Sequence, residues 1–417
     1  MYQVKINPWK LAISSGLLAG SCVVSALEIE PGVGVGLGYT NNAALTSDNE
    51  DNDWIVAGYV GATIRESSAP FYADLTTSLG YRNYTNDTFS DQYYPRLAAR
   101  AGWEMIRDRL EWQAQNYFSQ QKEDALDAET PDNDQNTNAF SFGPNVYFPI
   151  SERHQVTVSP VFQDFYYEDS DTDNRQYGIG ASWLYKMYRT MEVGIAGRVN
   201  KVDYDNDDRN PDFTSNRAHV VVSGTTARSN YDMYIGGTHV NRDRVENQEG
   251  FTGNLTWLYR MTGRSSIRTH MASELTDTSR ELLGSEITPD NGDFSNVQIS
   301  GDVLRNNIVR LTYRREGSTL NSEVWGEYRD QEYKETPDDR DVKEIGVRLD
   351  YRVTALFTTG VYGDYNRTEE DDTDRRDKRY RIGGNLGYNL SRKLRTNFDL
   401  RYQNEDSTEA DREYSEF

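Results

Sequence analysis

The stretch DVKEIGVRLDYRVTALFTTGVYGDYNRTEEDDTDRRDKRYRIGGNLGYNLSRKLRTNFDLRYQ, Asp341 to Gln403, contains the syntax of the whole chain. Ile345, Val347, Leu349 and Tyr351 alternate with Gly346, Arg348, Asp350 and Arg352, so an extended strand has one apolar face and one charged face. A short turn at Val353 and Thr354 leads into Phe357, Thr359, Val361, Gly363 and Tyr365, again in alternation. Charge then interrupts, from Glu369 to Asp377. The pattern resumes through Tyr380, Ile382, Gly384, Leu386 and Tyr388, turns at Ser391 and Arg392, and continues through Leu394, Thr396, Phe398, Leu400 and Tyr402. Strand, short turn, strand, long acidic loop is the repeating unit.

A period of two with aromatic ends and a charged opposite face has a physical cause in an outer membrane. Backbone groups in hydrocarbon must be paired within a closed sheet, lipid must meet apolar side chains, and the lumen can stay polar. The pattern predicts an all-β fold, a transmembrane antiparallel β-barrel with long acidic extracellular loops and short periplasmic turns. A soluble sandwich would bury the apolar face instead.

The remaining composition agrees. The chain has 417 residues, 27% of them charged and 12% aromatic, and its mean hydropathy is −0.82. Low hydropathy does not exclude a membrane, because only alternate residues of a barrel strand touch lipid. Residues 1–26 read as a secretory signal: Lys5 and Lys10 precede an apolar run from Leu11 to Val24, and Val24-Ser25-Ala26 is a small-residue cleavage site. Residues 27–417 are then the barrel domain. Cys22, the single cysteine, falls in the signal in a poor lipobox, so the mature chain has no disulfide. The net charge of −22 lies mostly in the loops and argues against nucleic acid, whose phosphates it would repel. Arginines mark the turn side, among them Arg65, Arg107, Arg189, Arg228 and Arg264.

Taken in order, the chain begins with a Gly-rich strand, Ile29 to Tyr39, whose Gly-x-Gly-x-Gly run lacks the Lys and the helix of a phosphate loop. Val297 to Tyr313 is read as one long strand in spite of Arg305 and Asn307, and the loop before it carries an apolar patch of Leu282, Leu283 and Ile287. The count comes to about nineteen full strands, within a range of about 18–20 for an even-numbered barrel. Arg412 to Phe417 begins a twentieth that is too short to cross, which suggests that the closing strand is truncated here.

Chemistry has little support. His154, His219, His239 and His270 fall on different strands or turns without metal-ligand spacing, so no cofactor and no metal are expected. Asp203, Asp205 and Asp207 start like a calcium loop, but Asp208 stands where glycine belongs and Thr214 where the closing glutamate belongs. Ser223 and Ser273 could each be imagined beside His219 or His270, yet nothing in the spacing requires a nucleophile, and the chain reads as no enzyme. The residues that stand out are charges on the face opposite the apolar one: Arg310, Arg314, Glu323, Glu327, Arg329, Arg348, Asp350, Arg352, Arg381, Arg395, Asp399 and Arg401. With both signs interleaved they are expected to line the lumen, either around a wet passage or laced shut by cross-strand pairs.

VGVGLGYTNNAAL (Val33 to Leu45), the strand pair Leu97 to Gln121, Gly143-Pro144-Asn145-Val146-Tyr147 and Leu275-Thr276-Asp277-Thr278-Ser279-Arg280 resemble the β-barrel porins encoded with exopolysaccharide and exosortase (PEP-CTERM) systems of Gram-negative bacteria. The resemblance implies an outer-membrane barrel and a polysaccharide exit route, and carries over no catalytic residue. The expected function is passage or export of a hydrophilic solute, exopolysaccharide in particular; the alternative is a non-conducting scaffold in a surface-polymer or electron-transfer complex. Expected partners are outer-membrane lipid and lipopolysaccharide, bridged by divalent cations on the acidic loops, together with the barrel-assembly machinery and polysaccharide-export proteins.

Overall fold

The computed structural model describes residues 27–279, 282 and 300–417, apart from residues 49, 126, 337, 338, 372, 373, 410 and 411. The signal sequence, Leu283 and Ile287 lie outside the described residues. Twenty strands form one antiparallel sheet in which each pairs with its neighbours in sequence, from β1 (Glu28–Thr40) through β2 (Asp53–Glu66) to β19 (Arg395–Ser407) and the short β20 (Tyr414–Glu416). Successive antiparallel strands need only tight connections. On one side these connections run from two residues (Arg189–Thr190) to five (Leu390–Leu394), and the long loops all fall on the other. Nineteen full strands follow the alternation read from the sequence, and a twentieth spans three residues. Among the described residues no helix is long and apolar enough to cross a membrane.

The wall closes near its loop-side rim. The β20 backbone pairs with Gln403, Asn404 and Glu405 of β19. On its other side Thr40 donates its hydroxyl to Glu416 at 2.8 Å, and the Asn41 amide reaches the Phe417 carbonyl at 3.4 Å.

The apolar parity faces outward in the nineteen full strands. Exposed rings form two belts: Trp54, Tyr93, Tyr177, Tyr328 and Tyr380 toward the loops, and Trp103, Trp183, Trp257, Tyr351 and Tyr388 toward the turns. Between them most outward positions are Val, Ile, Leu and small residues, with Phe142, Met233 and Met271 among the exceptions. Tyr380 and Tyr388 bracket this band on β18 (Arg376–Asn389) and are eight residues apart. At ~3.3 Å per residue that is roughly 26 Å along a tilted strand, close to the ~25 Å band that a barrel presents to lipid. Arg305 and Asn307 share the face of Val309 and Leu311 on β14 (Val303–Glu316) but sit above this band. There Arg305 meets Glu332 at 3.9 Å, and the Asn307 amide donates to Asp330 at 2.9 Å. The interruption in the sequence marks height along one strand, but that strand begins at Val303, so Gly301, read as part of it, lies outside.

Several inward aromatic rings lie flat across a glycine directly opposite on the next strand: Tyr59 on Gly34, Tyr72 on Gly102, Trp325 on Gly346 and Tyr362 on Gly383. A Cβ at residue 346 would come within 2.1 Å of the Trp325 ring. Gly346→Val is therefore expected to cost ~1–3 kcal/mol through overpacking. Gly384→Val, whose nearest neighbour is the Gly360 carbonyl at 3.5 Å, should leave the urea midpoint of the vesicle-inserted barrel unchanged. Equal midpoints for both variants would refute the ring-on-glycine account.

Candidate functional site at the loop-side mouth

A strand with one face on a lumen and one on lipid buries alternate residues at most. At the loop end of β13 (Ser265–Asp277) and the start of β14 that alternation stops. Leu275, Thr276, Asp277, Thr278 and Ser279 are all buried, as are Asp302, Val303 and Leu304. This hairpin end therefore has neighbours on both faces.

The partners lie across the barrel. On β8 (Asn174–Tyr188), Gln176 donates to Asp277 at 2.8 Å and Asn174 donates to the Ser279 hydroxyl at 2.9 Å. Leu275 and Val303 pack with Val202, Tyr204, Phe213 and Val240, from β9 (Met191–Tyr204), β10 (Phe213–Thr225) and β11 (Ser229–Arg242). Leu282, singled out in the sequence as part of an apolar loop patch, is 2% exposed against Ala139, Phe165 and Tyr167 of β6 (Asp134–Pro149) and β7 (His154–Tyr167). All these wall residues have the parity opposite to the exposed aromatics, so the hairpin leans inward over the mouth.

A buried ion pair fastens it. Arg242, at the end of β11, meets Asp302 at 3.1 Å with side-chain exposures of 1% and 3%, and also meets Glu335 at 2.8 Å. The Asp302 carboxylate accepts the Val303 and Glu335 amides, each at 2.6 Å. Beneath it, Arg217 reaches Glu274 at 3.3 Å. Elsewhere on the rim, Asp127 of the loop between β5 (Leu110–Lys122) and β6 pairs with Arg412 of the β19–β20 loop. Burial pushes the Asp173 carboxyl above its ordinary range; its acceptance of the Tyr167 amide opposes this, and Asp205, Asp164 and Asp171 add to the rise.

The charges singled out in the sequence occupy the inward parity and mostly pair with one another. Arg310 and Arg329 converge on Glu327 at 3.0 and 3.1 Å, Arg314 meets Glu323 at 2.8 Å and Arg348 meets Asp350 at 3.1 Å. Arg381 meets Asp364 at 3.0 Å, and Asp399 accepts the Tyr362 hydroxyl at 3.1 Å. Arg395 donates to Thr358 at 3.3 Å, Arg401 approaches Glu416 at 3.8 Å, and Arg352 is exposed at the turn end.

The histidines stay apart. His154 stacks on Trp183 and Tyr185, His219 lies against Tyr234, His239 pairs with Glu249, and His270 faces Thr256. Ser273 donates to Asn307, away from His270. Asp203, Asp205 and Asp207 go separately to Lys201, Arg175 and Arg244 and do not converge. Among the described residues no group of three or more His, Cys, Asp or Glu side chains is placed to hold a metal ion. A shallow groove of about 870 Å³ crosses the outer face along Ala181, Gly197, Ala218 and Gly237, away from the mouth.

An apolar, twice-girdled exterior around a polar interior decides the setting. The chain is an outer-membrane β-barrel. The model of the family described as Putative beta-barrel porin 2 matches residues 340–417, nearly the stretch that opens the sequence analysis. No curated protein matches the chain. Among solved structures it is similar to the siderophore receptor PirA from Pseudomonas aeruginosa, at 9% identity over 94% of this chain and 72% of that one, with a TM-score of 0.48. The FrpB iron transporter from Neisseria meningitidis (F3-3 variant) is 8% identical over 92% and 74%, with a TM-score of 0.47. OccK2 from Pseudomonas aeruginosa is 8% identical over 94% and 95%, with a TM-score of 0.39.

Proposed function

We propose that this barrel passes or exports a hydrophilic solute, a saccharide chain such as an exopolysaccharide, and catalyses no reaction. The observation that supports this most is the inner wall below the mouth. Gln113, Gln115, Ser141, Thr157, Gln163 and Ser182 share the inward parity and stay half-exposed, so neutral hydrogen-bonding groups face the interior. A neutral polar wall suits hydroxyl-rich chains. The twelve charged residues of β14 to β19, eight arginines and four carboxylates, would complete the lining and hold water along that part of the wall, with positive charge in excess among them. The proposed partners are the barrel-assembly machinery and polysaccharide-export proteins, as the resemblance to porins of exopolysaccharide systems implies.

The apolar packing at the mouth favours a second reading, a barrel that stays shut and serves as a scaffold. Conductance in a planar bilayer separates them. Ohmic openings that lengthening oligosaccharides block support passage. Stable insertion without conductance, in the wild type and also after Arg242→Ala has loosened the mouth, would refute passage and leave the scaffold.

A further inference from the structure

The inward rings that lie across a glycine have a second face, and the surroundings of that face are most complete at Trp325. This residue stands on β15 (Leu320–Tyr333) between Val324 and Tyr328, level with the outer apolar band and below the packed mouth. Its indole is half-buried, and the six-membered ring covers Gly346, directly opposite on β16 (Arg340–Arg352). Glu344, on the same inward face of β16, accepts the indole N–H at 2.5 Å and so fixes the plane of the ring against the wall. The wall uses one face of the ring. Among the described residues no second ring and no cation covers the other.

The edges of this plate are polar and unequal. On the loop side, Glu344 spends one oxygen on the indole and enters no ion pair among the described residues, with Glu327 and Asn366 directly opposite it. On the turn side, Arg348 is exposed, and its one ion pair among the described residues is with Asp350 of its own strand, at 3.1 Å. A carboxylate in the interior without a countercharge has to be hydrated or to accept hydrogen bonds from something else. Covering a glycine accounts for the wall-side face of Trp325. It leaves the open face and this carboxylate unexplained. Tyr362, directly opposite Arg348 on the next strand, repeats the construction: its ring lies across Gly383 and its hydroxyl donates to Asp399 at 3.1 Å.

We propose that Trp325 is the floor of a pyranose subsite in the lumen, with Glu344 and Arg348 as its polar edges and Tyr362 as a second plate beside it. This rests on the saccharide reading of the barrel and narrows it to chains with flat, equatorially substituted rings. Such a ring carries C–H bonds on its faces and hydroxyls around its rim. The C–H face removes apolar area from water against the indole. The rim hydroxyls donate to the second oxygen of Glu344 and accept from the Arg348 guanidinium, both charge-assisted bonds. A chain without ring faces can use the edges but not the floor.

The test uses the full chain refolded in detergent micelles, where both ends of the barrel meet solvent, with cellopentaose as the probe and equilibrium dialysis as the readout. The wild type should bind it, and polyethylene glycol of similar length should not compete. W325L should migrate normally on an unboiled gel and bind roughly tenfold more weakly, from the loss of one aromatic contact. W325Y keeps a flat ring and should retain most of the binding. Tyr59 also lies across a glycine, but its hydroxyl meets no partner, so Y59L should bind as the wild type does. Three results would each overturn the subsite: wild-type binding by W325L, full competition by polyethylene glycol, or an equal loss in Y59L. If W325L misfolds, E344Q decides in its place. It keeps an acceptor for the indole and should fold but bind several-fold more weakly; unchanged binding overturns the subsite as well. Dialysis needs no current, so the two readings fail separately. A barrel that binds cellopentaose but never conducts loses passage and keeps the subsite, and one that conducts without binding loses the subsite and keeps passage.

Discussion

Replacing Arg242 by alanine is expected to open the mouth while leaving the barrel wall folded. The substitution leaves the Asp302 carboxylate, 3% exposed, without its guanidinium partner. Breaking one side of a buried ion pair costs ~3–5 kcal/mol, because the remaining charge is still desolvated. The backbone amides of Val303 and Glu335 hydrogen-bond the orphaned carboxylate but supply no countercharge. That penalty is local, since β13 and β14 remain paired with each other along their whole length, β14 with β15 (Leu320–Tyr333), and Ser265 to Ser273 of β13 with β12 (Gln248–Thr262). The strain is relieved most readily if the hairpin end swings away from β8 and β11 and water reaches Asp302. Two measurements follow: faster external proteolysis near residues 278–302, and higher single-channel conductance than wild type. The double variant Arg242→Met with Asp302→Leu removes both charges and should stay closed, since apolar replacement of a whole buried pair is often neutral. Identical proteolysis and conductance for wild type, single and double variants would mean that the pair does not fasten the mouth.

The difference between what the sequence announces and what only the fold reveals is clear at this pair. The barrel is legible because lipid and lumen impose one rule on every strand. Val347 and Arg348 declare their faces by parity alone, and so do the twelve inward charges. Nothing local tells Arg242 to meet Asp302, which is 60 residues away and reaches it only because the hairpin leans across the mouth. The signal the sequence offers for that lean is the apolar patch that includes Leu282, in a loop otherwise rich in polar residues. The burial of Leu282 against Phe165 and Tyr167 depends on strands more than a hundred residues earlier.

The parity argument has a strong test at Val361. This side chain is 56% exposed on the outward face of β17 (Phe357–Glu370), midway between Phe357 and Tyr365, with Leu349 and Gly384 directly opposite. An arginine here would sit near the middle of the hydrocarbon, beyond easy reach of either interface. On the lipid face of a barrel such a charge costs ~2–4 kcal/mol at the midplane and much less near the headgroups. Val361→Arg is therefore expected to lower the fraction of chain that reaches the compact, unboiled gel form on refolding into vesicles. Val361→Leu should refold as the wild type does. Asn385 is the matched inward control, on the neighbouring strand, with Asp399 directly opposite. Asn385→Arg gains that countercharge in a wet, polar interior and should refold normally, although it introduces the same side chain at nearly the same depth. If the two arginines cost the same, the outward face does not meet lipid at this height. If Asn385→Arg proves the worse of the two, the faces are reversed and the apolar parity lines the interior.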